Sequence, residues 1–145
     1  MIYPYLSYNV CIWGSTFPTH LQPLIVKQKR VVRIIAGAHY LAHTRPLFLQ
    51  YGILEFMDVY RFNVLNYVHK CIGRGELSFN NARCSRDPFL LRSERHRLTQ
   101  TQHAFSFVGP TEWNNLPMNL RKIENPHVFK KSVKQYLLSQ YEGST

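Results

Sequence analysis

The chain has 145 residues, 45% hydrophobic and 14% aromatic, with 18 Lys and Arg against 8 Asp and Glu. One ordinary domain with ample core material is implied, which excludes general disorder, and a net charge of +10 directs attention to polyanions, nucleic acid first. Three scattered cysteines, Cys11, Cys71 and Cys84, argue against a disulfide framework, and no run reaches the ~18 apolar residues of a membrane span. The apolar N-terminus lacks the basic region and cleavage site of a signal peptide, so an intracellular setting, nuclear or cytoplasmic, is expected rather than secretion or a membrane.

In chain order, the pattern predicts a short helix over 3–13 with Tyr5, Tyr8 and Ile12 along one side, stopped by Gly14. A longer helix follows over 18–36, with Thr19 as cap and Gly37 as terminator. Its residues Leu21, Leu24, Ile25, Val31, Val32 and Ile35 fall on one face, with Lys29, Arg30 and Arg33 on the other. Thr44 or Arg45 precedes Pro46 at the first position of a brief helix that ends at Gly52. Asp58 then caps a helix reaching about Ile72, lined by Val59, Phe62, Leu65, Val68 and Ile72 and closed by Gly73 and Gly75.

From residue 73 the composition turns to Asn, Ser and Arg without a helical period, which predicts a long irregular arm to about residue 102. Phe105 and Phe107 alternate with Ser106 and predict a short strand. Gly109-Pro110 breaks it, Pro110 opens a turn carrying Trp113, and Leu116-Pro117 stops that turn. Asn125 caps and Pro126 starts the last helix, lined by Phe129, Val133, Tyr136 and Leu137. The expected fold is mainly α, a bundle of about four to six helices with an irregular arm and one short strand or hairpin before the last helix. Residues 1–75 form its helical part; 76–145 form the arm, the strand-turn-helix corner and the C-terminal helix, in one compact unit with the first.

Catalytic chemistry finds little support. A two-metal polymerase or nuclease site needs clustered carboxylates, whereas Asp58 and Asp87 are the only aspartates and stand far apart. His69, Cys71, Cys84, His96 and His103 lack the tight C-x2-C pair of a zinc finger, and neither a nucleophile elbow nor a phosphate-cradling glycine loop is present. Glu112 stands without a partner in its stretch. No metal, cofactor or catalytic residue is expected. Three basic clusters remain: Lys27, Lys29, Arg30 and Arg33; Arg83, Arg86, Arg92, Arg95 and Arg97; and Arg121 and Lys122 with Lys130, Lys131 and Lys134. Cations so arranged suit phosphate backbones. Trp113 is a base-stacking candidate, although core packing is the stronger expectation.

The order of short motifs adds a resemblance. Tyr3-Pro4-Tyr5-Leu6 with Tyr8 and Ile12-Trp13-Gly14 come first, then Gln28-Lys29-Arg30-Val31-Val32-Arg33-Ile34-Ile35 and His43-Thr44-Arg45-Pro46-Leu47-Phe48. Gly109-Pro110, Trp113-Asn114-Asn115-Leu116-Pro117 and Phe129-Lys130-Lys131 follow. This series resembles the C-terminal region of reverse transcriptases from non-LTR (LINE-type, jockey-like) retrotransposons, over nearly the whole chain. The resemblance implies thumb-like helices that grip a template-primer duplex, in a remnant whose palm, with its catalytic aspartates, is missing. It implies RNA-directed DNA polymerase ancestry without activity in this chain. The partners implied are an RNA–DNA or DNA duplex and the missing palm. Where the family tends to show Asn-Thr-Arg, this chain reads Asn81-Ala82-Arg83.

Overall fold

The computed structural model describes residue 8 and residues 10–77, 79, 87–92 and 104–141. Seven helices occupy them: α1 Val10–Trp13, α2 Pro18–Ile35, α3 Arg45–Gln50, α4 Phe56–Gly73, α5 Phe105–Asn114, α6 Met118–Arg121 and α7 Pro126–Ser139. The fold is mainly helical, as the periodicities imply. The chain forms two compact units, one of residues 1–60 with 134–145 and the other of residues 61–133.

In the first unit, Val10, Leu21, Val32, Phe48, Leu54, Phe56, Val59 and Leu137 are buried. Pro18 opens α2, where its missing N–H costs nothing, and the residue before the helix is Phe17 without a side-chain cap, so Thr19 lies inside the helix rather than capping it. The other end closes as expected at Gly37. With φ of +61°, it lets its own N–H reach Ile34 O at 3.2 Å and the Ala38 N–H reach Arg33 O at 3.0 Å. Gly52 closes α3 through the same pair of bonds, to Leu49 O and Phe48 O. Pro46 is the second residue of α3, not the first.

Two apolar assignments and one cap are corrected here. Tyr8 and Ile12 are exposed and Val10 is the buried residue of α1, while Trp13 stacks on Phe56 with centroids 5.3 Å apart. Ile35 is exposed, because α2 ends there and the chain turns away at Gly37. Asp58 is in the first turn of α4, not at its cap. The capping is done from afar: Gln28, buried on α2, accepts from the Phe56 N–H at 2.8 Å and donates to Leu54 O at 2.9 Å. From the other direction, the Tyr141 hydroxyl accepts from the Glu55 N–H at 2.9 Å and donates to Asp58 Oδ2. Two orphan donors at a helix start are thus met by residues remote in sequence.

In the second unit, α4 continues as a helix buried over most of its circumference, through Phe62, Val64, Leu65, Val68 and Cys71. It runs through Gly73 and closes at Gly75. The strand expected at Phe105 and Phe107 does not form: both residues open α5, whose first N–H bonds run to Ala104 O. Pro110 is inside that helix. Its ring removes the N–H that would otherwise pair with Ser106 O, one turn earlier on an exposed residue. Phe105 meets Tyr67 edge-on at 4.9 Å, which gives it a helical neighbour in place of a strand partner. Among the described residues, extended pairing is confined to one isolated antiparallel bridge, Phe79 with Leu91. Leu116-Pro117 leads into α6, a single turn before the last helix. That last helix is capped as expected, Asn125 Oδ1 accepting from His127 N at 2.9 Å.

Candidate nucleic-acid interface

On α2, Lys27 and Arg30 are exposed, while Lys29 and Arg33 are half-buried. The face opposite the core is therefore not uniformly cationic. Arg33 Nε donates to Ala42 O at 2.9 Å, which commits part of that guanidinium to the loop after the helix. The first 54 residues contain no Asp or Glu, so nothing acidic in that stretch competes for these cations.

On α7, Phe129, Val133 and Leu137 are buried, which turns Lys130, Lys131 and Lys134 outward to solvent. Phe129 and Val133 are four residues apart and fix one face; Lys130 and Lys134 repeat that spacing on another. This helix also carries no acid. The row is the cleanest cationic surface among the described residues.

The arginine arm is mostly beyond description. Arg92 is exposed; Arg83, Arg86, Arg95 and Arg97 lie outside the described residues, as do Cys84, His96, His103 and the departure at Ala82. Arg121 leaves the third cluster altogether. Its side chain is only 8% exposed and pairs with Asp87 through Nη2–Oδ2 at 2.6 Å. Asp87 Oδ1 in turn accepts from the Phe89 N–H at 3.0 Å.

The stretch Gly109 to Pro117 has an interior role. Trp113 is 1% exposed, and its indole N–H donates to Phe89 O at 2.9 Å, so its ring is closed to a nucleobase. Gly109 and Pro110 are buried; an added Cβ at Gly109 would lie 3.0 Å from Val68 Cγ2, so glycine lets α5 approach α4 closely. Asn114 holds Leu91 by both backbone groups, and Leu116 is buried beside an exposed Pro117. Glu112 has a partner after all: Arg61 Nε lies 3.0 Å from its Oε2.

The remaining reactive groups are placed by packing. His69 Nε2 is 2.8 Å from Ile123 O; a carbonyl only accepts, so that nitrogen carries the proton. Its ring stacks on Phe129 at 4.2 Å. Burial pushes the thiols of Cys11 and Cys71 above their ordinary range, with Glu76 adding to the effect at Cys71, which disfavours the nucleophilic thiolate at both. Among the described residues, no three His, Cys, Asp or Glu side chains stand close enough to hold a metal ion, and no helix is long and apolar enough to cross a membrane.

Sequence reasoning missed the long-range bonds through which polar residues organise this framework. Gln28 had a signal, a polar residue four positions after Leu24 within an apolar face. Asn114 stood out through its motif but its partner did not, and Tyr141 had no signal, since the residues they bond lie 23 and 83–86 positions away. Comparison with family models, with curated proteins and with solved structures finds no significant match to the chain.

Proposed function

We propose that this chain is a non-catalytic nucleic-acid-binding module, related to the region of non-LTR retrotransposon reverse transcriptases that follows the palm. The observation that carries the reading is the exposed row Lys130, Lys131 and Lys134 on an acid-free helix, with exposed Lys27 and Arg30 on acid-free α2 as a second cationic surface. Such cations contact phosphates whatever the base sequence, and each contact releases condensed counterions. The motif order from Tyr3 to Lys131 supports the ancestry. The scarcity of carboxylates in the chain supports a binding role over polymerisation.

The test is binding to short DNA and RNA–DNA duplexes across a salt series. Affinity is expected to fall steeply with salt, by a log–log slope of about 0.9 per phosphate neutralised. Replacing Lys130, Lys131 and Lys134 together by Gln is expected to reduce that slope by roughly 2 to 3 and to weaken all sequences alike. Duplex affinity indifferent to salt, or absent at low salt, overturns the reading.

A second reading, an interaction piece that packs against a polymerase palm without activity of its own, draws on the exposed apolar side chains of the first unit, Tyr40 and Leu41 among them. It predicts self-association of the isolated chain in light scattering, where a monodisperse duplex-binding monomer counts against it.

A further inference from the structure

The outward face of α2 is not built for phosphates alone. Val26, Arg30 and Ile34 recur at intervals of four and form one row along it, with Val26 55% and Ile34 69% exposed. Lys27 flanks the row on one side, and half-buried Lys29 on the other. Residues four apart form a ridge that can pack into the groove of another helix. Here the ridge is apolar at both ends, Val26 and Ile34, with Arg30 between them and lysines beside it to select the partner by charge.

The occupant follows from charge and shape. A second copy of the chain would set Lys27 and Arg30 against their own equivalents, with no Asp or Glu in the first 54 residues to relieve the repulsion. A phosphate backbone would pair the cations but leave Val26 and Ile34 wet. A bilayer surface selects larger apolar and aromatic anchors than two β-branched residues separated by a guanidinium. A helix carrying its own apolar row between lines of Asp or Glu satisfies every group on this face at once.

We infer that the outer face of α2, through Val26, Ile34, Lys27 and Arg30, is a docking surface for an acidic amphipathic helix of a partner protein. This surface shares Lys27 and Arg30 with the duplex reading but uses none of Lys130, Lys131 and Lys134, and its apolar half, Val26 and Ile34, has no part in that reading. The variants below therefore distinguish the failure of one from the failure of the other.

The probe is a synthetic helical peptide of about 20 residues with Leu at intervals of three and four flanked by Glu, set beside a control with Lys in place of Glu. Fluorescence anisotropy with the full chain is expected to give saturable micromolar binding of the acidic peptide and none of the basic one. The double variant V26S/I34S, both residues being exposed, is expected to keep the helical circular dichroism of the parent and lose at least about tenfold in peptide affinity. The pair K27Q/R30Q is expected to lose a similar factor, whereas the K130Q/K131Q/K134Q variant keeps peptide binding while its duplex binding weakens and its salt slope falls. Equal binding of the acidic peptide by V26S/I34S overturns the proposal, because charge alone then explains it. So does no binding of the acidic peptide, a dimer of the parent chain that V26S/I34S dissolves, or binding to phosphatidylserine vesicles that the same variant abolishes in place of peptide binding.

Discussion

The side-chain amide of Asn114 brackets the backbone of Leu91, its Oδ1 accepting from the N–H at 2.9 Å and its Nδ2 donating to the C=O at 3.0 Å. One amide therefore does for Leu91 what a neighbouring strand would do, and it does so from the end of a helix. Together with the Trp113 indole on Phe89 O, it ties the segment 87–92 to α5 at two points two residues apart.

That bracket distinguishes two adjacent asparagines. Asn114→Ala is expected to destabilise the protein by about 1–3 kcal/mol, since both backbone groups of a buried residue lose their partner. Asn115 is exposed, and Asn115→Ala is expected to stay within about 0.5 kcal/mol. Chemical denaturation measures both, and hydrogen exchange at the Leu91 amide should accelerate in the first variant alone.

Asp87→Asn is expected to cost about 3–5 kcal/mol, because Arg121 would remain charged and buried without its counterion. Nε and Nη1 of Arg121 already have no hydrogen-bond partner among the described residues, so nothing described compensates the loss. The double variant D87N/R121M should recover much of the stability, as removing both charges is far milder than removing one.

Alkaline pH should act through Tyr141. Burial, then the hydrogen bond to Asp58, raises its phenol well above the ordinary range. A folded pKa above the unfolded one means that the stabilisation is whole below about pH 10 and declines as pH rises beyond it, once the unfolded phenol ionises and the folded one does not. The thiols of Cys11 and Cys71, raised in the same direction, begin their own decline near the ordinary cysteine range. Stability measured from pH 8 to 11 should therefore fall in the parent chain, and Tyr141→Phe should flatten the portion above about pH 10.

Two glycines should differ in their tolerance of alanine. A Cβ at Gly14 would stand 2.4 Å from Tyr60 Cδ2 and 2.5 Å from the Val10 carbonyl oxygen, which is itself held by the Gly14 N–H. Gly14→Ala is expected to cost about 1–3 kcal/mol, as overpacking typically does. At Gly109 the nearest atoms are side-chain carbons at 3.0 and 3.1 Å, which can yield by tenths of an ångström, so Gly109→Ala should cost clearly less in the same thermal melts.

The helices were legible because their signals are local. The apolar spacing of α2, the Asn125-Pro126 start of α7 and Gly37 all act within a few residues, and the structure keeps each of them but for Ile35 at the exposed end of α2. The strand at Phe105 failed because alternation over three residues is too short to outweigh the side-chain contact with Tyr67, which lies 38 residues earlier. The site was legible only in part. Charge runs identify cations but not their fate, and Arg121, which reads like Lys122 in sequence, is sealed against Asp87 while Lys122 stays exposed. Glu112 and Asp58 were equally opaque, since their partners, Arg61 and Tyr141, come from other turns of the chain.

The Tyr141 staple also sets a timetable. Its two bonds join the start of α4 to a residue 83–86 positions later, and the first unit takes its residues from both ends of the chain. On a ribosome, residues 1–60 emerge long before residue 141, and the start of α4 must wait for the hydroxyl that joins the Glu55 amide to the Asp58 carboxylate. The long-range bonds described for residues 61–133, Arg61 to Glu112 and His69 to Ile123 among them, close within that span. The middle of the chain can settle first, and the beginning is finished by the end.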